Sequence, residues 1–185
     1  MILSKNMRKL NLKIDIDGVL RDVYPAMIRC YEREQGLPSK IKPSDITIYD
    51  LDKAFPGIGN IWEFFKRNGK EIFRNSNPFS GYKIINELGK EHNVILVTHQ
   101  LEILEQLTIE WLKECGINHH GIEFTKDKHL IEGDILLDDA PTNILNPEEK
   151  SIKVIMDRTY NKELEGHRVK NLKEFHEFVK KLAEE

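Results

Sequence analysis

Cysteine is scarce in this chain: only Cys30 and Cys115 occur among 185 residues. Two cysteines cannot build a disulfide framework, so the expectation is two buried free thiols in a reducing, cytoplasmic compartment. No run approaches the roughly 20 apolar residues needed to cross a bilayer, and the opening MILSKNMRKLNLK has no continuous apolar stretch of the secretory kind. A membrane partner is therefore not expected. No block of one charge stands out either, because 28 Lys and Arg are interspersed with 31 Asp and Glu for a formal charge of −3. Without a concentrated basic face, a nucleic-acid polymer is not the expected partner. A G-x-x-x-x-G-K loop is missing, which removes P-loop triphosphate hydrolysis, and there is no internal repeat or low-complexity segment.

What is present is a chain 39% hydrophobic and 32% charged, enough for one sizeable core. Leu10, Leu12, Ile14 and Ile16 alternate with Asn11, Lys13, Asp15 and Asp17 ahead of Gly18, the period of a strand that ends at a turn. Four more short apolar runs follow, at Val94 to Val97, Gly121 to Phe124, Ile135 to Leu137 and Ile152 to Met156. Leu104, Leu107, Trp111, Leu112 and Cys115 recur at helical spacing before Gly116, placed to close a helix. Strand and helix in repetition predict a Rossmann-like α/β fold, a parallel sheet with helices on both faces. Residues 21–80 break the alternation and read as an inserted helical subdomain, leaving 1–20 and 81–185 as the α/β core. The closing stripe Leu172, Phe175, Val179 and Leu182 reads as a helix face used for packing.

The polar residues at the strand ends carry the chemistry. Asp15 and Asp17 sit two apart where the first strand finishes, and open parallel sheets bind ligands beyond such ends. Paired carboxylates repel unless a cation lies between them, and hard oxygen ligands suit Mg²⁺. Thr98 closes the second strand, as a phosphate cradle with the amides of the next helix or as a plain helix cap. Lys128 follows the third strand, and Asp138-Asp139 ends the fourth, an expensive pair unless it binds a cation or caps a turn. His119-His120 lacks a second pair at metal spacing and reads as surface or loop.

The order of these elements, with FTKDKHLIEGDILLDDAPTNI (124–144) and VIMDRTYNKELEGHRVKNLKEF (154–175), resembles the haloacid-dehalogenase-like phosphohydrolases, and within them the 5′(3′)-deoxyribonucleotidases. The resemblance implies that Asp15 is the nucleophile and Asp17 the acid and base. It further implies that Thr98, His99 and Lys128 hold the phosphoryl group, and that Mg²⁺ is held by Asp15, the Asp17 carbonyl and Asp139, with Asp138 as ligand or support. The helical insertion then corresponds to a small cap whose aromatics, Trp62, Phe64, Phe65 and Phe73, either stack on a base or form the cap's own core. Two positions depart from the nucleotidase pattern: Val23 stands where an aromatic is expected, with Tyr24 beside it, and His99 replaces a small hydroxyl residue. The expected substrate is a small phosphate ester, a nucleoside or deoxynucleoside monophosphate, and the expected state is a monomer or homodimer. The alternatives are a sugar-phosphate or other metabolite phosphatase and a non-catalytic phosphate-binding or signalling module. Receiver-type modules place the acidic pair first and the phosphoaccepting Asp before the Thr, whereas here D-x-D comes first and Asp-Asp last.

Overall fold

The computed structural model describes residues 8–37 and 40–184; the reading of the first seven residues lies outside them. Six strands form one all-parallel sheet in the order β3-β2-β1-β4-β5-β6. They are β1 (Asn11–Ile14), β2 (Asn93–Thr98), β3 (Gly121–Phe124), β4 (Ile135–Asp138), β5 (Ile152–Met156) and β6 (His167–Val169). The sixth, three residues of mixed polarity, escaped the sequence pattern because it is too short and too polar to show a period. Strand order reverses between β1 and β4, which are hydrogen-bonded neighbours, and such a switch point is where open α/β sheets bind ligands.

Helices α4 (Ile84–Glu91), α5 (Glu102–Cys115), α6 (Pro141–Ile144) and α7 (Leu172–Ala183) connect or follow the strands. Leu12, Ile14, Leu96 and Leu137 of the sheet meet Ile85, Trp111, Phe175 and Val179 of the helices in one buried core. Each such side chain contributes roughly 1.5–3 kcal/mol by leaving water. The expected packing role of the last helix holds: Leu172, Phe175 and Val179 are buried. Helix α5 stops where glycine permits, with Gly116 in the left-handed region at φ 65°. Of the two expected buried thiols only Cys30 is buried; Cys115, in the last turn of α5 near the rim, is half-buried, and both are free. None of the helices among the described residues is long and apolar enough to cross a membrane.

Between β1 and α4 the described chain is helical, with α1 (Tyr24–Gln35), α2 (Leu51–Ala54), α3 (Ile61–Gly69) and a π-helical turn at Lys70–Arg74. These pack a second core around Met27, Phe55, Phe64 and Ile72, to which Leu104 of α5 and Tyr160 also belong. The segment leaves and rejoins the sheet side by side: Asp22 N–H donates to the Asn77 carbonyl (2.9 Å), Phe79 N–H donates to the Leu20 carbonyl (2.8 Å), and Arg21 bridges Pro78 in antiparallel fashion.

The alternation in β1 suggests a strand with one wet face, yet Lys13 is buried too. Its ammonium donates to both Glu149 oxygens at 2.8 Å and to the carbonyls of Ile131 (2.9 Å) and Lys128 (3.3 Å). Burial, the largest influence, works against the Glu149 charge, but the bonds from Lys13 and Ser151 outweigh it and hold the carboxyl below its ordinary value. Removing one member of a buried pair strands the other charge. Glu149→Gln is expected to cost about 3–5 kcal/mol, measured by urea unfolding at neutral pH; a loss below about 1 kcal/mol would show that water already compensates Lys13.

Candidate active site

The strand ends bring the acidic residues together. β1 finishes at Ile14, and Asp15 N–H still donates to the Leu137 carbonyl (3.0 Å), so Asp15 lies beside Asp138 at the end of β4. The chain then turns sharply, with the amides of Val19, Leu20 and Arg21 all donating to the Ile16 carbonyl. Gly18 makes the turn possible at φ +83°, and a Cβ there would sit 2.4 Å from Asp139 Oδ2. Asp15, Asp138 and Asp139 are buried, and each offers an oxygen within 4.8 Å of the others.

Lys128 is the cation among them. It sits in a 3₁₀ turn, Lys128–Leu130, whose carbonyl end is held by Lys13, and its ammonium lies 2.8 Å from Asp15 Oδ1 and 2.7 Å from Asp138 Oδ2. Burial disfavours its charge, but Asp138 and Asp15 outweigh burial and keep its pKa above the ordinary lysine value. Three carboxylates thus face one ammonium, a shortfall of two positive charges. The consequence is visible in the carboxyls. Burial, with Asp138 and Asp139 adding to it and Lys128 opposing, pushes Asp15 well above the carboxylate range. Asp139 is pushed up to about 6, first by burial and then by Asp138, against a hydrogen bond from Tyr160.

The three acids are not equivalent. Asp138 spends both oxygens on protein donors: Oδ1 accepts from Ala140 N–H (2.8 Å), while Oδ2 accepts from Lys128 and from Asn143 Nδ2 (2.9 Å). Oδ2 of Asp15 and Oδ1 of Asp139 accept from no protein donor among the described residues. These are the two carboxylate oxygens open to a cation.

Asp17 lies apart from this cluster. Its Oδ1 accepts from Arg21 Nε (2.7 Å) and its Oδ2 from Gln100 Nε2 (3.0 Å). Thr98 ends β2 as expected and is buried, but α5 begins only at Glu102, so residues 99–101 intervene and Thr98 is not that helix's cap. His99 is exposed and packs edge-on against Trp62 at 5.4 Å. His119 and His120 are used locally, His119 Nδ1 against the Gly121 carbonyl and His120 Nδ1 accepting from Val94 N–H, both at 3.1 Å.

A cavity of about 590 Å³ opens over the cluster, and Asp15, Asp17, Thr98, His99, Lys128 and Asp139 all line it. Trp62, Phe65 and Phe73 form one aromatic side, whereas Phe64 is fully buried in the core. Val23 and Tyr24 both reach the cavity, joined by Tyr49 and Tyr160. The sequence reading missed Tyr160, Gln100, Arg21 and Asn143. Tyr160 and Asn143 sit inside the quoted motif segments, but their partners are 21 and 5 residues away and no local period marks them.

Gly18→Ala is expected to lower turnover about 10²-fold by displacing Asp139, since misplacements near 1 Å have that effect. The left-handed φ strains alanine as well, so the variant's melting temperature is expected to fall while the protein still unfolds cooperatively. Steady-state kinetics beside a melting curve measure both, and retained turnover would show that Asp139 has room to yield.

Comparisons with known proteins show the family of the chain. A 5′(3′)-deoxyribonucleotidase of Clostridium acetobutylicum is 29% identical over 164 residues, covering 84% of this chain and 86% of that one. Among solved structures, a haloacid dehalogenase-like hydrolase of Streptococcus pneumoniae superposes with a TM-score of 0.66 at 15% identity, covering 92% of this chain and 98% of that one. A HAD-superfamily hydrolase of Geobacter sulfurreducens gives 0.63 at 13% identity, over 95% and 99%. At such identities these two show the fold alone. Residues 8–183 match the family described as 5′ nucleotidase, deoxy (Pyrimidine), cytosolic type C protein. The chain belongs to that family, and so is a phosphoric monoester hydrolase of the haloacid-dehalogenase-like superfamily.

Proposed function

We propose that the protein is a Mg²⁺-dependent nucleotidase that hydrolyses a nucleoside or deoxynucleoside monophosphate through an aspartyl-phosphate on Asp15. The observation that carries this reading is the buried cluster short of two positive charges at the floor of an aromatic-walled cavity. Its donor set fits the metal: oxygen ligands only, with two carboxylate oxygens that accept from no protein donor, suit a small hard cation that keeps water and phosphate in its remaining positions. Asp15 and Asp139 would hold the ion, with the Asp17 carbonyl as the third protein ligand, while Asp138 orients Lys128 and the turn after β4. When bound, the ion neutralises carboxylate repulsion and withdraws charge from the phosphoryl oxygens.

The chain's own groups account for the remaining steps. The Asp15 carboxylate attacks phosphorus as the ester P–O bond breaks, giving the acyl phosphate. Asp17 gives its proton to the departing ester oxygen and then takes one from the water that cleaves the intermediate. Lys128 and Thr98 hold the phosphoryl oxygens, where charge builds in the transition state. His99, at the mouth beside Trp62, contacts the substrate from the rim. The helical segment of residues 21–80 acts as a cap over the core of 1–20 and 81–185, and two unpaired thiols fit a reducing cytoplasmic setting.

The wall favours a nucleoside over a sugar. Trp62 and Tyr49 line the cavity yet stay 37% and 38% exposed, an arrangement suited to stacking on a flat ring and wasteful around a small polyol. The similarity to a 5′(3′)-deoxyribonucleotidase supports the same choice.

Phosphate release from nucleoside monophosphates, deoxynucleotides and sugar phosphates tests the reading. We expect release led by nucleotides with Mg²⁺ and lost with EDTA; release confined to sugar phosphates would overturn the substrate, and undiminished release in EDTA would overturn the metal. Asp15→Asn is expected to abolish turnover while the protein still unfolds cooperatively, and near wild-type activity in that variant would refute the nucleophile.

A further inference from the structure

Arg21 is completely buried, a position that an arginine takes only when its charge and donors are met. Here each of its three nitrogens has a partner. Nε donates to Asp17 Oδ1 (2.7 Å), Nη1 to the Phe73 carbonyl and Nη2 to Thr108 Oγ1 (3.0 Å), while the guanidinium lies over the rings of Trp111 (4.9 Å) and Phe73 (5.3 Å). Thr108, itself buried on α5, donates to Gln100 Oε1 (2.6 Å), and Gln100 Nε2 donates to Asp17 Oδ2 (3.0 Å). The bonds close a ring: Asp17, Arg21, Thr108, Gln100 and back to Asp17. Of these four, Asp17 and Gln100 line the cavity, while Arg21 and Thr108 stand behind them.

Packing alone does not require this ring. A buried guanidinium that served only to fill space would be replaced at no loss by an apolar side chain of similar volume. The ring instead fixes both oxygens of a carboxylate that lines the cavity outside the acidic cluster. Its two bonds to Asp17 differ in strength. The Arg21 bond is charge-assisted and short, whereas the Gln100 bond is from a neutral amide at the cavity surface.

We propose that Arg21 and Thr108 are positioning residues for proton transfer by Asp17: Arg21 keeps hold of Oδ1 throughout, and Gln100, steadied by Thr108, releases Oδ2 to the reacting oxygen. The inference rests on the reading of Asp17 as acid and base. In the first half-reaction Oδ2, once Gln100 has released it, takes up a proton from solvent and passes it to the ester oxygen as that oxygen's bond to phosphorus breaks and the Asp15 oxygen bonds to phosphorus. In the second, Oδ2 takes a proton from water as the water oxygen bonds to phosphorus and Asp15 is freed. The Phe73 carbonyl ties the same guanidinium to the returning end of the helical segment, so the seat of Asp17 is shared between sheet and insertion.

The test is leaving-group dependence. A nucleoside 5′-monophosphate expels an alkoxide and needs the acid; 4-nitrophenyl phosphate expels a stabilised phenolate and does not. kcat/KM, which reports events up to the first P–O cleavage, is compared on both esters for wild type, Asp17→Asn, Arg21→Lys and Thr108→Val, with a melting curve for each. Thr108→Val conserves volume, so it keeps the test alive if Arg21→Lys fails to fold. Asp17→Asn is expected to lose about 10²–10⁴-fold on the nucleotide and under about tenfold on the aryl ester. The other two should lose at least about tenfold more on the nucleotide than on the aryl ester, in the manner of a displaced general acid. Equal losses on both esters in Arg21→Lys and Thr108→Val, or none, beside an unequal loss in Asp17→Asn, would overturn this inference alone. Equal losses in Asp17→Asn would overturn the acid role of Asp17 and this inference with it.

Discussion

Asp15 and Asp138 end neighbouring parallel strands in register, and Asp139 follows at once, so the backbone ladder itself forces three carboxylates together. That electrostatic crowding is the constraint on which the rest of the site depends. Lys128 has to be delivered between two of them, and the turn that carries it has to be held by its carbonyls. Asp138 is bound by three separate donors, and Tyr160 reaches across from beyond β5 to Asp139. Each of these contacts reduces the repulsion without removing it, and the remaining deficit is what makes the site suited to a cation and a phosphate dianion together.

Among the described residues three buried cations meet carboxylates: Lys128 lies between Asp15 and Asp138, Lys13 pairs with Glu149, and Arg21 with Asp17. Buried pairs of this kind add little net stability over apolar packing, since desolvation offsets most of the attraction. Their value lies in geometry. Lys13 fixes the backbone from which Lys128 projects, and Arg21 fixes a carboxylate that the crowded cluster would otherwise repel.

The parallel sheet, its switch point and the identities at the strand ends were legible because each depends on local pattern: short apolar runs, a D-x-D beside a turn glycine, and an acidic pair after Ile135 to Leu137. Arg21 and Lys13 were not legible. Both read as ordinary polar positions, since Lys13 meets Glu149 from 136 residues away, and Arg21, although its carboxylate Asp17 is only 4 residues back, is held on its far side by Thr108, 87 residues on. β6 was hidden by its length, and the split among the aromatics, with Phe64 in the core and Trp62 at the mouth, follows from helix orientation that composition does not encode. Thr98 was legible as the strand end, and of its two readings the plain helix cap does not hold, because the helix begins three residues later than the strand end suggests.

The paired strands of backbone at Leu20 to Asp22 and Asn77 to Phe79 have a meaning beyond their hydrogen bonds. A segment that departs and comes back through adjacent points imposes no span on the sheet, so the sheet's closure is indifferent to how many residues lie between. Growth or shrinkage of that segment changes what the cavity admits while the strand ends keep their register.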